Sequence, residues 1–125
     1  MTSAFLRIEG NTVKNRLWSF LIIHSEFDYS MRDIAKFSKI SYSSLKAVWK
    51  DFIKRKIVLH TRDVGNAKMY TLNRNNPSVE KFIEYYWTVV ESAAQKEVDA
   101  NADTQEAFVH ARSSAKAMTM SAKTF

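Results

Sequence analysis

With 125 residues the chain has room for one domain around one core, and with no cysteine it can build neither a disulfide framework nor a thiolate metal site. Its net charge of +6 is unevenly spread: residues 1–78 carry 14 Lys/Arg against 6 Asp/Glu, a net of +8, and residues 79–125 carry 5 against 7, a net of −2. A basic half of this kind suits a polyanion, although charge alone points no further than a soluble basic surface.

No apolar run approaches the length of a membrane span. The N-terminal MTSAFLRIEG lacks the basic-then-apolar layout of a secretion signal, so the expectation is a cytoplasmic protein with no membrane partner. Residues 1–10 read as a short arm in which Phe5, Leu6 and Ile8 are available for packing. Gly10-Asn11 is a break. A first helix is predicted from about Thr12 to His24, with Val13, Leu17, Phe20, Leu21 and His24 on one face and Trp18 and Ile22 widening it. Glu26–Tyr29 is a connector, with room for a short extended piece that pairs with the hairpin further on.

Ser30 can cap a short helix, with Asp33 three residues later as in a capping box, and Met31, Ile34 and Ala35 share its apolar face. Ser38-Lys39-Ile40 turns the chain. Ser41 then caps a longer helix to about Lys54. Its apolar stripe is Leu45, Val48, Trp49, Phe52 and Ile53, and its opposite face holds Tyr42, Ser43, Lys46, Ala47, Lys50 and Lys54. A hairpin follows: Ile57–Arg62, a turn through Gly65-Asn66, then Lys68–Asn73. Strict alternation would send Ile57, Leu59 and Thr61 one way and Val58, His60 and Arg62 the other, with Tyr70 and Leu72 sharing a face on the return strand.

This ordered series resembles the winged helix-turn-helix domains of bacterial and archaeal transcription regulators, over roughly residues 11–90. The residues that carry the resemblance are Ile34-Ala35, Ile40-Ser41-Tyr42-Ser43, Ile57-Val58, the wing from Val64 through Asn73, and Asn76-Pro77-Ser78-Val79. The expected fold is mainly α with a small β-hairpin wing and a further C-terminal helix. Two residues depart from the pattern. Lys39 in the turn and Lys56 after the second helix stand where the family often has glycine. Either the backbone differs there, or the chain accepts a left-handed lysine at about 1–2 kcal/mol each.

The resemblance implies a recognition helix at Ser41–Lys54 and a wing at Arg62–Lys68. In groove recognition a helix presents its first residues to base edges. Ser41, Ser43 and Ser44 can then bond phosphates or bases. Tyr42 can stack on a sugar or touch a thymine methyl group, Ala47 permits close approach, and Lys46 and Lys50 can reach guanine edges or phosphates. Lys39 in the turn, and Arg62, Asn66 and Lys68 in the wing, complete the candidate DNA contacts. Taken alone, each element is also an ordinary amphipathic helix or a solvated hairpin.

Asn76 caps a further helix with Pro77 at its first position and Glu80 in its first turn. Val79, Phe82, Ile83, Tyr86, Trp87 and Val90 form a wide stripe with Tyr85 to one side. The stripe completes the core, packs on a second copy, or does both, and the expected dimer contact is Phe82, Ile83, Tyr86, Trp87 and Val90. Beyond Ala93 the composition turns to Ala, Ser, Thr and charge. A helical extension through about Lys116 is predicted, interrupted near Asn101-Ala102-Asp103, then a weakly ordered tail. The expected division is a DNA-binding domain over 1–75, a dimerisation helix over 76–94 and an extension or tail over 95–125.

His24, His60 and His110 lack metal-ligand spacing, and Gly10 and Gly65 do not make a phosphate loop. No Ser/His/Asp series has a recognisable elbow. The chain is expected to be no enzyme and to need no cofactor. The leading expectation is a sequence-specific double-stranded DNA-binding protein, a dimeric transcription regulator. One alternative is a plasmid or viral partition or replication adaptor whose C-terminal tail engages a protein partner. Another is a winged helix used for protein–protein assembly.

Overall fold

Short side-chain oxygens decide where the helices begin. In the computed structural model, which describes residues 3–104, Ser3, Thr12, Ser30 and Ser41 each accept the backbone N–H of the residue three further on, at 3.3, 3.1, 3.2 and 3.1 Å. Asn76 Oδ1 accepts Ser78 N–H at 2.9 Å. The helices that follow are α1 (Ala4–Glu9), α2 (Val13–Ile23), α3 (Met31–Ser38), α4 (Tyr42–Lys54) and α5 (Pro77–Thr104). The N-terminal arm is thus itself a short helix. α5 runs through Asn101-Ala102-Asp103 without the interruption expected there. The predicted extension to Lys116 and the tail beyond it fall mainly outside the described residues.

Three strands accompany the helices: β1 (Tyr29–Ser30), β2 (Val58–Val64) and β3 (Ala67–Leu72). They form an antiparallel sheet in the order β1-β3-β2, so the connector before α3 does pair with the hairpin, Tyr29 opposite Tyr70 and Ser30 opposite Met69. Gly65 has φ 61° in the two-residue turn Gly65-Asn66, the positive φ that a tight hairpin requires. The alternation expected for β2 fails at one point. His60 pairs with Tyr70 and Arg62 with Met69, which leaves Thr61 as an extra residue in a bulge. Arg62 therefore crosses to the face opposite His60 instead of sharing it.

The chain divides into two compact units, Met1–Val90 and Glu91–Phe125. In the first, Leu17, Ile34, Leu45, Phe52 and Val79 are fully enclosed, joined by Ile40, Ile57, Val58 and Leu72 from the turns and sheet. Each such side chain contributes about 1.5–3 kcal/mol by leaving water. Phe5 of α1 is 1% exposed and packs on Phe82, Tyr85 and Tyr86 of α5. Trp18 stacks on Phe82 at 3.9 Å, and Ser19 and Tyr86 share a buried hydroxyl–hydroxyl hydrogen bond of 2.9 Å. Ile8 of the arm, 52% exposed, and two further positions on the expected apolar faces lie outside this core. Ile53, at the edge of the α4 stripe, is 41% exposed, and His24 is exposed at the end of α2 with its ring against Phe20. In the second unit the described residues, 91–104, are helical.

Candidate nucleic-acid interface

The turn before α4 is built on strain that its surroundings hold in place. Lys39 has φ 58° and ψ 46°, left-handed geometry. Lys56, just past α4, has φ 56°. Both of the lysines that replace an expected glycine therefore keep the glycine backbone. Each sits in a Schellman motif: Ile40 N–H donates to Ala35 C=O and Ile57 N–H to Phe52 C=O, both at 2.9 Å. The isoleucine after each lysine is buried, which anchors the turn. Side chains from elsewhere add clamps. Arg16 donates through Nη1 to the Lys39 carbonyl at 2.8 Å and through Nε to Asn11 Oδ1 at 2.6 Å. Asn73 and Asn76 amides donate to the Lys56 carbonyl at 2.9 and 3.1 Å, and Asn76 also to the Arg55 carbonyl at 3.0 Å.

These contacts aim one strip of α4 outward. Tyr42, Lys46 and Lys50 follow at four-residue spacing, flanked by Ser43, Ala47 and Lys54, and all six are exposed. Ser41 and Ser44 are tied up in the cap, their hydroxyls 2.8 Å apart, while Ser43 Oγ reaches Ser41 Oγ only at 3.4 Å. Two cations lie over the Tyr42 ring: Arg32 Cζ is 4.9 Å from the centroid and Lys46 Nζ 5.5 Å.

Charge is distributed unevenly around this strip. Arg55 pairs with Asp51 at 3.1 Å, Arg62 with Asp28 at 2.9 Å, Arg74 with Glu80 at 3.6 Å and Lys81 with Glu84 at 3.5 Å. Among the described residues, Lys36, Lys39, Lys46, Lys50, Lys54 and Lys68 have no ion-pair partner. These six lie on α3, its turn, α4 and the wing, as does Arg32, whereas Lys14, Arg16, Lys56 and Lys96, which also lack an ion-pair partner among the described residues, lie outside that surface.

Between α3, the start of α4 and the wing lies an open cleft of about 520 Å³, lined by Ser30, Met31, Arg32, Tyr42, Val64, Asn66, Ala67, Lys68 and Tyr70. The structure thus brings three candidates, Tyr42, Asn66 and Lys68, to one concavity. Arg62 is placed differently. Its guanidinium donates to both oxygens of Asp28, at 2.9 and 3.1 Å, and Thr61 Oγ1 donates to the same carboxylate at 2.5 Å. The Arg62 hydrogen bond, helped by Thr61, holds the Asp28 carboxyl down at about 2. The bulge at Thr61 is what turns Arg62 toward Asp28, so Arg62 latches the wing to the connector instead of extending along its tip.

The expected dimer residues also divide. Tyr86 is 1% exposed and enclosed in the core of one chain, which leaves it no face for a partner, and Phe82 is partly buried with its ring stacked on Trp18. Ile83 and Val90 are half-buried against the same core. Trp87 is 42% exposed. Sequence reasoning missed Arg16, Asp28 and Arg32. The two hydrogen-bonding residues act on partners 23 and 34 positions away, beyond the reach of any local pattern. Arg32 could have been marked only as an exposed cation on the first helix of the pair.

No family model and no curated relative matches the chain. Solved structures do match. MepR, a transcription regulator of the Staphylococcus aureus multidrug efflux pump MepA, superposes with a TM-score of 0.61 at 16% identity, covering 94% of this chain and 87% of that one. A mutant of Lactococcus lactis ZitR gives 0.54 at 17% identity, over 87% and 77%. Wild-type ZitR in complex with DNA gives 0.51 at 15% identity, over 84% and 73%. At these identities the likeness establishes the fold. The chain is a winged helix-turn-helix protein, mainly α with a small three-stranded sheet and a C-terminal helix, as its sequence led one to expect.

Proposed function

We propose that this chain binds double-stranded DNA sequence-specifically and acts as a dimeric transcription regulator in the cytoplasm. The observation that carries the reading is the strip Tyr42, Ser43, Lys46, Ala47, Lys50 and Lys54. It is exposed, fixed at both ends by clamped turns, and its lysines have no carboxylate partner among the described residues. A solvated helix face gains by interleaving acids with its bases. A face meeting phosphates does the reverse, because each neutralised phosphate releases counterions. In this reading Ser43, Lys46 and Lys50 face base edges, Ala47 permits close approach, and Tyr42 lies at the groove's edge against a sugar. Ser41 and Ser44 shape the helix start. Lys39, Asn66 and Lys68 meet the backbone, and Arg62 orients the wing.

That the ZitR match includes a DNA complex supports the reading at the level of fold. An exposed Trp87 beside half-buried Ile83 and Val90 supports pairing through α5. The test is selection of bound duplexes from a random pool, followed by fluorescence anisotropy on the selected site across a salt series. Several phosphate contacts give a log–log slope of about −0.9 for each, and a two-fold repeat among the selected sites reports the dimer. Absence of enrichment, or affinity independent of salt, overturns the reading.

A further inference from the structure

We infer that Arg32, on the first helix of the pair, is a DNA-backbone contact that also positions Tyr42; this rests on the DNA-binding reading above. The cleft between α3, α4 and the wing has a cation on each side, Arg32 from α3 and Lys68 from β3, and no Asp or Glu among its lining residues. Neither cation has an ion-pair partner among the described residues. Two positive groups that converge on one concavity without an acid repel each other until an anion joins them. The wing wall contributes Asn66, whose amide can donate to the same anion.

The second observation is the ring that both cations approach. Arg32 Cζ and Lys46 Nζ lie 4.9 and 5.5 Å from the Tyr42 centroid, one from α3 and one from the next turn of α4. A cation–π contact engages a guanidinium by its face and leaves the in-plane N–H fork for an oxyanion. Arg32 can hold the ring and a phosphodiester at once, which lysine at the same place cannot do with a fork. The occupant that fits is the sugar–phosphate backbone beside the groove that α4 enters. Its phosphates take Arg32 and Lys68, and its sugars lie against Tyr42, Met31 and Tyr70. Arg32 then couples affinity to specificity: it neutralises one phosphate directly and keeps Tyr42 at its place in the groove.

The experiment uses the full chain, a duplex selected from the random pool and a scrambled duplex of the same length, with anisotropy titrations between about 50 and about 200 mM salt. Arg32→Ala is expected to lower the log–log slope by about one on both duplexes, so that the affinity drop across this range becomes about three- to fourfold smaller. It is also expected to reduce the preference for the selected duplex. Arg32→Lys should keep the slope while losing that preference. In a Tyr42→Ala background, Arg32→Ala should still lower the slope but no longer change the preference. Lys50→Ala serves as the control for the DNA-binding reading. If Lys50→Ala weakens binding and Arg32→Ala leaves slope and preference unchanged, the role of Arg32 is overturned and the reading stands. If the wild-type chain enriches no duplex, or neither variant affects binding, the reading falls and this inference with it.

Discussion

Replacing Lys39 or Lys56 by glycine should make the protein more stable, and only the first change should weaken DNA binding. Both residues adopt left-handed backbone, φ 58° and 56°, at exposed positions. An L-residue there costs about 1–2 kcal/mol. Glycine removes that cost but loses more chain entropy on folding, about 0.5–1 kcal/mol. The net gain is about 0.5–1 kcal/mol per site. The Schellman bonds and the clamps to the Lys39 and Lys56 carbonyls involve backbone atoms of these residues, so they survive the exchange. With a urea dependence of about 1–3 kcal/mol per molar, the midpoint should rise by about a few tenths molar. Alanine separates strain from charge. Lys39→Ala keeps the Cβ, so its midpoint should stay near wild type, whereas its DNA salt slope should fall by about one, as in Lys39→Gly. Lys56→Gly should raise the midpoint and leave the slope alone, because Lys56 lies at the far end of α4 from the turn. A glycine variant less stable than its alanine counterpart would refute the strain reasoning. An unchanged slope for both Lys39 variants would remove the turn from the interface.

Three further outcomes are expected. Ser19→Ala and Tyr86→Phe should each cost about 1–3 kcal/mol by leaving the other buried hydroxyl unsatisfied, while the double variant should cost less than their sum, as read by thermal or urea melts. The Asp28 carboxyl is held at about 2 against an ordinary 3.8, chiefly by Arg62. Its contribution to stability is therefore present above pH 4 and is lost as pH falls from about 4 toward about 2; Asp28→Asn should flatten that part of the stability–pH curve, and an unaltered acid limb would show the latch to be inert. Trp87→Ser should move sedimentation equilibrium toward monomer with little change in melting, whereas a variant that stays dimeric would place the interface away from this side of α5.

What could be read from the sequence was local. Ser30, Ser41 and Asn76 announce three helices by chemistry confined to a few residues, and Gly65-Asn66 announces the wing tip. The glycine-like turns were visible as lysines in glycine positions, though only the backbone angles show that the strain is accepted. What was not legible depends on distant partners. A six-residue helix has no independent stability; α1 exists because Phe5 inserts among Phe82, Tyr85 and Tyr86. The stripe on α5 was visible, but its division was not. Tyr86 is claimed by Ser19 and Phe5, and Phe82 by Trp18, which leaves Trp87 outside. In β2 an alternating pattern cannot reveal which residue is extra. The bulge at Thr61 put Arg62 on the face opposite His60, where it pairs with Asp28.

The contrast between α4 and the wing bears on how the protein would meet its site. α4 is held at its N-terminal side by Arg16 acting on the Lys39 carbonyl and at its C-terminal side by Asn73 and Asn76 acting on the Lys56 carbonyl. Along its length Leu45, Trp49 and Phe52 are buried in the core. Rotating this helix would break clamps at both ends and disturb three large core side chains, so its exposed strip is presented as a preorganised surface. The wing is held more lightly. Its base pairs with β1 and is latched by Asp28, but Val64, Gly65 and Asn66 are exposed and carry no side-chain hydrogen bond among the described residues. In the proposed DNA-binding reading, adjustment to DNA shape would fall to the wing tip, with Lys68 at its base, and discrimination between bases to the rigid helix. On that reading, a protein divided in this way would read sequence with α4 and tolerate variation in groove width through the wing.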